Sequence, residues 1–373
     1  MIYEFYIFMK ICYIGGANSI HLQRWIKWIV NAGHDVHLIT EYPLKINDTK
    51  IYLLKYKKEG GFINFLSKMR QTKKFLNKIN PDILHAHYVF GYGIFGAYSN
   101  FHPYVLTAWG SDILVDTASL IGKSAVKYAL KKADLITCEG DNIKERMTKL
   151  GVDSKKINKI YFGVDTKKFN SKQRNENIKK NLLIFNSPII ISSKPLESIY
   201  DIDSLIKSVP IVLKKIPSAK FVIASNGSQK IKLEQLAKSL NVSENIKFIG
   251  FISNEEIPRY LASSDIYVNT SLSDGGLAVA TKEAMACELP VIVTNLDVNT
   301  KWIEDGKNGF VVPLKDPKTL ADKIIYLIEH KDVRKNFGKK GRKLVEEKFE
   351  YEKEMKKVEN IYEQLINNHK RVK

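Results

Sequence analysis

The stretch Ser271-Leu-Ser-Asp-Gly-Gly-Leu-Ala-Val-Ala-Thr-Lys-Glu-Ala-Met-Ala-Cys-Glu-Leu-Pro-Val-Ile-Val293 decides the fold of the carboxyl-terminal half of the chain. Residues 265–270, just before it, are apolar and β-branched, as in a buried strand. Gly275 and Gly276 then allow a tight turn into an apolar segment over 277–287, and a second apolar run follows. The order strand, glycine turn, helix and strand predicts a parallel α/β unit.

The start of that helix has the chemistry of an anion site. Backbone amides at a helix N-terminus lack helical partners and suit a phosphate group. If the helix begins near Leu277, Glu283 lies about 9 Å further along the axis, at about 1.5 Å per residue. A carboxylate at that distance can accept hydrogen bonds from both hydroxyls of a ribose. The stretch therefore predicts a nucleotide site.

Length and composition indicate a soluble protein of two domains. The 373 residues exceed the size at which a single core usually keeps growing. Hydrophobic residues make up 44% and charged residues 27%, which is typical of globular proteins. Cys12, Cys138 and Cys287 are far apart in apolar segments, so neither a metal site nor a disulfide framework is expected. We expect a reducing, cytoplasmic location.

The amino-terminal residues 1–9 do not read as a targeting segment. They are apolar, but Glu4 interrupts them and they are too short for a secretory signal. Both Met1 and Met9 remain candidate starts. No run of 18 or more uncharged apolar residues follows, which argues against a membrane-spanning helix.

The net charge of +19 has three interpretations, namely a nucleic-acid partner, an anionic membrane surface, or a general lysine bias. Only eight of the 59 basic residues are Arg, and the lysines are spread out rather than clustered with aromatic residues. This pattern argues against nucleic acid. Lysine bias is the simplest interpretation, and docking on an anionic surface, such as the inner face of the plasma membrane, is the second.

Short apolar strands alternate with helical segments along the chain, which predicts parallel sheets. The predicted strands are 10–14, 33–40, 82–87, 104–108, 134–138, 182–185, 188–192, 220–224, 245–249, 266–268 and 291–293. The predicted helices include 20–32, 62–80, 122–132 and 202–216, and residues 317–373 are nearly all helical in pattern. The polar, aperiodic stretch 167–181 suggests a boundary between domains 1–168 and 169–349, with a last helix of about 350–373 packing back on the first.

Eight short segments add a pattern through their order and spacing. They are Gly15-Gly16, Asp82-Ile-Leu-His-Ala-His-Tyr88, Thr107-Ala-Trp-Gly-Ser-Asp112, Phe162-Gly-Val-Asp165 with Lys168-Phe169, Lys194, Asn226-Gly227, Phe248-Ile-Gly250 and the stretch from Ser271 to Val291. Each is weak alone, but together they resemble the retaining glycosyltransferases of family 4. The resemblance covers nearly the whole chain. It implies an α/β fold of GT-B architecture, with two Rossmann-like domains whose parallel sheets face across a cleft.

The resemblance also implies a reaction. A sugar, of hexosyl type, would pass from a nucleoside diphosphate sugar to a hydroxyl acceptor with retention of configuration. The donor, a UDP- or GDP-sugar, would be a substrate, with no cofactor and no bound metal. The acceptor would be a glycan or a lipid-linked molecule, in polysaccharide, glycan or glycolipid biosynthesis.

Two acids eight positions apart are usual in the family, the first near the donor sugar and the second on the ribose. Glu283 matches the second. Gly275 stands at the first position, and the nearest acid, Asp274, is nine residues from Glu283. Asp274 is therefore either the displaced first acid or an ordinary helix cap.

The family also usually presents an Arg and a following Lys to the donor diphosphate. Lys194 takes the Arg position, and Tyr200 stands near that of the Lys. A Lys lacks the bidentate fork of Arg, so binding is weaker or another cation helps. Lys282 is a candidate for that cation, against the simpler interpretation of a solvated helix face.

The resemblance assigns residues to three groups. Catalytic candidates are Lys194, Asp274, Glu283, Asp112, His85 and His87. Donor-binding candidates are Gly15, Gly16, Lys194, Asn226, Gly227, Phe251, Ile252, Gly275, Gly276, Leu277, Ala278 and Glu283. Acceptor-binding candidates are His21, Trp109 and Asp112, where Trp109 replaces a His that many relatives carry.

The two strand histidines leave an alternative open. His85 and His87 alternate on one strand, so both point at ligand or both point into the core. Two other functions also remain as alternatives to transfer. One is a different GT-B enzyme, such as an epimerase or phosphorylase. The other is a binding protein without catalysis, which the departures at Gly275, Tyr200 and Trp109 favour.

Overall fold

The computed structural model describes residues 8–56, 61–114, 119–184 and 186–372, without the side chain of residue 372. These residues form two compact units. The first comprises the chain up to Phe162 together with the segment from Lys353 onward, and the second runs from Gly163 to Glu352.

Each unit is built on a parallel sheet. The first unit contains β1 (Lys10–Ile14), β2 (Asp35–Thr40), β3 (Thr49–Leu53), β4 (Ile83–His87), β5 (Tyr104–Ala108), β6 (Leu135–Cys138) and β7 (Ile157–Lys159). The second contains β8 (Ile189–Ser192), β9 (Lys220–Ile223), β10 (Ile246–Phe248), β11 (Ile266–Asn269), β12 (Val291–Thr294) and β13 (Phe310–Val312). The strand orders are β3-β2-β1-β4-β5-β6-β7 and β10-β9-β8-β11-β12-β13. In each sheet the strand order changes direction next to the strand that comes first in the chain, β1 in one sheet and β8 in the other. Folds of this type bind ligands at that point, at the carboxyl edge of the sheet.

Helices connect the strands and cover the sheets. They are α1 (Ile20–Asn31), α2 (Gly61–Ile79), α3 (Ile94–Ser99), α4 (Ser111–Leu114), α5 (Leu120–Lys132), α6 (Asp141–Lys149), α7 (Glu176–Asn181), α8 (Ile202–Lys215), α9 (Lys230–Ser239), α10 (Ile257–Ala262), α11 (Val279–Ala286), α12 (Asp297–Thr300), α13 (Pro317–Glu329), α14 (Lys331–Lys348) and α15 (Tyr351–Val372).

The cores follow from the sequence periodicities. All five residues of β4 are buried, as expected for a strand covered on both faces. Helix α1 buries Leu22, Trp25, Ile26 and Ile29, which share one helical face because they recur at intervals of three and four. Each unit therefore encloses its own apolar core.

Helix α15 is anchored in the core of the first unit. The Tyr362 hydroxyl lies 3.0 Å from that of Tyr13 and 2.5 Å from Nδ1 of His85. At the other end of β1, the Glu359 carboxylate lies 3.3 Å from Nε2 of His34. These contacts give the last helix a fixed register on the sheet.

The predicted strand 182–185 is wrong over the residues that the structure describes. Residues 182–184 form a turn after α7, and Leu183 has a φ of 56°. Residue 185 lies outside the described residues. The polar stretch 167–181, whose sequence has no periodicity, contains two short ordered elements, because side chains of Asn170 and Asn175 cap a 3₁₀ turn and α7. Three further strands, β3, β7 and β13, were not predicted, and each of them lies at an edge of its sheet.

Candidate functional site

The loop between β11 and α11 is held by Asn269, the last residue of β11. Its side-chain amide donates to Oγ1 of Thr281 at 3.2 Å and lies 3.5 Å from Oδ2 of Asp274. Its side-chain carbonyl oxygen accepts hydrogen bonds from the backbone amide and from the side-chain hydroxyl of Ser271, at 3.1 and 2.6 Å. Because Asn269 is fully buried, these bonds fix both ends of the loop.

A nearly buried ion pair lies against this loop. Nζ of Lys194 is 2.9 Å from Oδ1 of Asp274, and their side chains are 7% and 12% exposed. The Lys194 ammonium also lies 4.3 Å from the centre of the Tyr200 ring. Burial raises the pKa of Tyr200, and the Asp274 and Glu197 charges raise it further. The phenol therefore stays neutral and offers Lys194 its ring face.

The start of α11 bears on one of the two interpretations of Asp274, that of a helix cap. Helix α11 begins at Val279, and the residue in the N-cap position is Ala278. Asp274 is four residues before that position and pairs with Lys194 instead. The interpretation of Asp274 as a helix cap is wrong.

Glu283 is closer to the helix start than the sequence suggested. Because α11 begins two residues later than predicted, Glu283 lies about 6 Å from its first residue along the axis. Its carboxylate is partly buried. Burial raises the pKa of Tyr267 and of Cys287, and the charge of Glu283 adds to both shifts. Gly276, Leu277 and Ala278, which precede the helix, are buried, and Gly275 is partly exposed.

Helix α11 is clamped on α14. A Cβ on Gly338 would lie 2.0 Å from the carbonyl oxygen of Glu288, so only glycine permits this approach. The Arg342 guanidinium donates to the carbonyl of Ala286, the last residue of α11, at 2.6 Å. Lys282 is fully buried, with Nζ 5.0 Å from the Phe349 ring centre. The expectation of a solvated helix face at Lys282 is wrong, because α11 is enclosed by its neighbours.

The other donor candidates of the second unit follow adjacent strands. Asn226 and Gly227 come after β9, and a Cβ on Gly227 would lie 2.4 Å from the carbonyl oxygen of Leu196. Phe251 and Ile252 come after β10, and Phe251 is 70% exposed. Since β10, β9, β8 and β11 are neighbours in the sheet, the structure brings these residues to the same carboxyl edge as Lys194 and Asp274.

In the first unit, Asp112 is a structural clamp. Its carboxylate is fully buried and accepts from the amides of Val89, Trp109 and Gly110, at 2.8, 3.0 and 2.9 Å. These bonds tie the end of β5 to the segment after β4. Such an arrangement leaves no exposed carboxylate surface, and a contact of Asp112 with the acceptor or the reacting atoms stays a prediction.

His85 and His87 lie in the core. Nε2 of His85 is 2.6 Å from Oγ1 of Thr107, and Nδ1 contacts Tyr362, so hydroxyls occupy both ring nitrogens. His87 is also buried, and among the described residues neither of its ring nitrogens has a hydrogen-bond partner. Its ring packs edge-on against Trp25 at 4.9 Å. This placement favours the core alternative for both histidines, and a catalytic role for either stays a prediction.

An aromatic cluster, formed by His21, Trp109 and Phe162, lies next to the glycine turn. His21 stacks on Phe162 with ring centres 4.8 Å apart, and its edge meets Trp109 at 5.6 Å. Gly15 packs closely here, because a Cβ would lie 2.6 Å from Cδ2 of Leu22 and would force that side chain to shift. Sequence analysis named no role for Phe162 or for Asn269. The aromatic residue at the head of Phe162-Gly-Val-Asp165 was the available signal for Phe162.

Two family models match the chain, one in each unit. The model of glycosyl transferases group 1 matches residues 173–344, and that of glycosyl transferase 4-like proteins matches residues 10–140. The chain belongs to the group 1 glycosyltransferases. The predicted family is thereby confirmed.

Two curated relatives agree with this assignment for the glycosyltransferase, and one solved structure shares its fold. An uncharacterized glycosyltransferase of Methanocaldococcus jannaschii is 27% identical over 95% of each chain. The alpha-monoglucosyldiacylglycerol synthase of Acholeplasma laidlawii is 26% identical over 74% of this chain and 76% of its own. The crystal structure of Anabaena HepE in complex with UDP-glucose matches with a TM-score of 0.82 and 17% identity, over 96% of this chain and all of the other. The predicted fold class is confirmed by this match and by the two parallel sheets.

The described part of the glycosyltransferase shows neither a metal-holding group of His, Cys, Asp or Glu side chains nor a membrane-spanning helix. Within residues 8–56, 61–114, 119–184 and 186–372, no three His, Cys, Asp or Glu side chains are grouped so as to hold a metal ion. Across the same ranges no helix combines the length and the apolar character needed to cross a membrane.

Because His85 and His87 are buried, we expect the first unit of the glycosyltransferase to lose stability in acid. Burial lowers the pKa of His87 to about 3 and that of His85 well below its usual value. The unfolded chain therefore binds more protons than the folded one from about pH 6.5 downward. As the pH is lowered through this window, we expect the unfolding free energy to decrease by about 1.4 kcal/mol per pH unit for each histidine.

Urea unfolding at several pH values, followed by tryptophan fluorescence, measures this slope. Trp25, Trp28 and Trp109 all lie in the first unit. His87→Leu should flatten the slope, because Leu cannot take up a proton in the unfolded chain. His330→Gln, at an exposed histidine of the second unit, should leave it unchanged. An unchanged slope in His87→Leu would contradict the assignment.

Proposed function

We propose that the chain is a retaining glycosyltransferase that moves a hexosyl group from a nucleoside diphosphate sugar to a hydroxyl acceptor without a bound metal. The observation that carries the proposal is the Lys194–Asp274 ion pair beside the loop that leads into α11. A cation, the backbone amides that lead into α11 and a carboxylate of that helix match a diphosphate, a sugar and a ribose.

The donor would bind along this edge. Glu283 accepts from the ribose hydroxyls, and the backbone amides of Gly276, Leu277 and Ala278 receive the diphosphate. Lys194 neutralises the charge that grows on the leaving phosphate as the glycosidic bond breaks. The nucleobase lies near Phe251, whose exposed ring can stack on it. The UDP-glucose bound by Anabaena HepE supports a UDP-sugar as the first donor to test.

Asp274 would act through Lys194 and on the donor sugar. In the structure the pair holds the ammonium in one place, which removes the need to order a flexible Lys when the donor arrives. The carboxylate keeps one oxygen beside Asn269 and can turn to a sugar hydroxyl once the diphosphate takes over the ammonium. This supports Asp274 as the displaced first acid.

The acceptor would bind to the first unit, at its aromatic cluster. Aromatic faces such as those of His21, Trp109 and Phe162 suit the apolar faces of sugar rings. The acceptor attacks from the same face as the departing phosphate, which takes the acceptor proton. No protein base is then required, in agreement with the burial of His85 and Asp112.

A lipid-linked or glycan acceptor is part of the proposal. The relative from Acholeplasma laidlawii is, by its name, a synthase of a glucosyl lipid. An acceptor of that kind would bring this chain to an anionic membrane surface, which its net charge of +19 suits. We therefore propose a cytoplasmic enzyme that binds peripherally to the inner face of the plasma membrane.

A thermal-shift panel tests the donor site directly. The purified chain is heated with UDP, GDP and ADP, with their sugar conjugates, and with a short DNA duplex. A matching diphosphate at about 100 times its Kd adds about 2.7 kcal/mol, or about 5 to 10 °C for a unit of this size. The corresponding nucleoside, which lacks the diphosphate, should give a smaller shift.

The panel also separates the alternatives. Nucleotide binding without release of sugar from any donor conjugate would indicate a binding protein without catalysis. Stabilisation by the duplex alone, in a salt-dependent manner, would indicate a nucleic-acid binder and overturn the proposal.

A further inference from the structure

Four large apolar side chains are exposed at the first turns of α2 and α5. Phe62 and Ile63 of α2 are 73% and 51% exposed, and Leu120 and Ile121 of α5 are each 84% exposed. Scattered exposed apolar residues are normal, but adjacent pairs on two helix starts are not. We call these four residues the apolar tips.

The topology places both pairs at one edge of the sheet. Helix α2 connects β3 to β4 and α5 connects β5 to β6, with α3 between them. All these strands are parallel, and the connections β3 to β4, β4 to β5 and β5 to β6 cross the sheet in the same direction, so right-handed crossovers put the three helices on one face. Helices α2 and α5 both pack against α3. Because each helix runs antiparallel to the strands, its first turn lies at the carboxyl edge.

An apolar depression separates the two helices. It measures about 570 Å³ and opens to the surface. Met69 of α2, Ile94 of α3, and Leu120, Ile121, Ala125 and Tyr128 of α5 line it. The α5 pair of the apolar tips, Leu120 and Ile121, therefore forms part of the wall of a mainly apolar recess.

The same three helices carry only positive charge. Their sequences contain no Asp or Glu, whereas α2 has five Lys or Arg residues and α5 has four. Lys68 is buried and paired with Glu41. The others include five exposed cations, which are Arg70, Lys73, Lys74, Lys123 and Lys127.

We propose that the apolar tips, together with these cations of the same two helices, form the surface that docks on an anionic lipid membrane. Apolar side chains enter the boundary between headgroups and acyl chains, and Lys and Arg bind lipid phosphates from the headgroup side. This inference rests on the membrane partner in the proposed function and names the surface that would meet it. A nucleic acid would engage the cations but leave Leu120 and Ile121 exposed, so the combination favours a lipid surface.

Vesicle flotation with the full chain tests the surface. The probes are vesicles of phosphatidylcholine alone and of phosphatidylcholine mixed with phosphatidylglycerol. Two variants remove one component each, Leu120→Gln/Ile121→Gln for the tips and Lys123→Glu/Lys127→Glu for the cations. Their matched controls lie in the second unit, namely Ile231→Gln at an exposed apolar residue and Lys335→Glu/Lys339→Glu at exposed lysines with the same spacing.

We expect the chain to float with the anionic vesicles and each test variant to bind at least about tenfold more weakly. The two controls should bind as the unchanged chain does. Nucleotide-dependent stabilisation should persist in every variant, because none touches the donor edge. If nucleotides do not stabilise the unchanged chain, the proposed donor site is wrong. Flotation of that chain, weakened by the test variants, would still support the docking surface.

Three results would overturn the docking surface. They are equal binding to both kinds of vesicle, equal losses in test and control variants, and no flotation by a chain that still binds nucleotide. Loss of DNA-duplex binding in Lys123→Glu/Lys127→Glu, with vesicle binding unaffected by either test variant, would also overturn it.

Discussion

Glu283→Ala is expected to weaken binding of the selected nucleoside diphosphate by at least about a hundredfold. In the proposed complex the Glu283 carboxylate accepts two hydrogen bonds from ribose hydroxyls. Each hydrogen bond to a charged group contributes about 1.5 to 3 kcal/mol to the binding free energy. Glu283→Gln keeps the size of the side chain and one acceptor oxygen but loses the charge. We expect it to weaken binding by only about tenfold, since a neutral hydrogen bond is about half as strong.

The ligand supplies the sharpest control for Glu283. The 2′-deoxy analogue lacks one of the two hydroxyls, so it should bind the unchanged chain more weakly than the ribonucleotide does. In Glu283→Ala that difference should vanish, because the partner of the hydroxyl is gone. Isothermal titration of both ligands against both chains measures the coupling. Glu234→Gln, an exposed carboxylate on α9, is the matched control and should change nothing.

A persistent preference for the ribonucleotide in Glu283→Ala would show that another group reads the ribose. Equal melting temperatures of the ligand-free chains are needed for the comparison. We expect them, because Glu283 is only partly buried.

Lys194→Met is expected to lower turnover by about a hundredfold to a thousandfold, the usual effect of removing one donor to a developing negative charge. The ammonium is most needed when the leaving diphosphate gains charge, so kcat should fall more than KM rises. Release of nucleoside diphosphate from the donor sugar, with water as the acceptor, measures this before the natural acceptor is known.

The ion pair requires a second variant to separate catalysis from stability. Lys194→Met leaves the Asp274 carboxylate nearly buried without its cation, which costs about 3 to 5 kcal/mol of unfolding free energy. Lys194→Met/Asp274→Asn removes the unpaired charge and should recover most of the thermal stability. Turnover should stay low in this double variant. Its recovery together with stability would mean that Lys194 serves only the fold.

Local sequence signals predicted the repeating units of the fold but not all of its edges. The runs 10–14 and 104–108 match β1 and β5 because both strands are buried and nearly uniformly apolar. Strand β3, Thr49–Leu53, lies at a sheet edge and has no fully buried residue, so its composition resembles a loop. Residues 182–184 show the reverse error, because an apolar run forms a strand only where a neighbouring strand is available to pair with it.

The site shows a similar division. Glycines and Glu283 could be named from spacing, since they lie close together along one stretch of chain. The partner of Asp274 could not, because Lys194 is 80 residues away and only the β8–β11 pairing joins them. The alternation of His85 and His87 placed both on one side of β4 but could not choose the side, since both faces of that strand are covered. Partners of buried polar groups, such as Tyr362, come from tertiary packing alone.

The anchoring of α15 by Tyr362 and Glu359 has a consequence for synthesis of the chain on the ribosome. Domains generally fold as units in the order of their emergence. Here the second unit is one continuous segment, whereas the first lacks its last helix until the segment from Lys353 onward emerges. The unit encoded second is therefore the first to have all its residues available. Until α15 has emerged, the nascent first sheet leaves His85 without its tyrosine partner and exposes the apolar surface that α15 later covers.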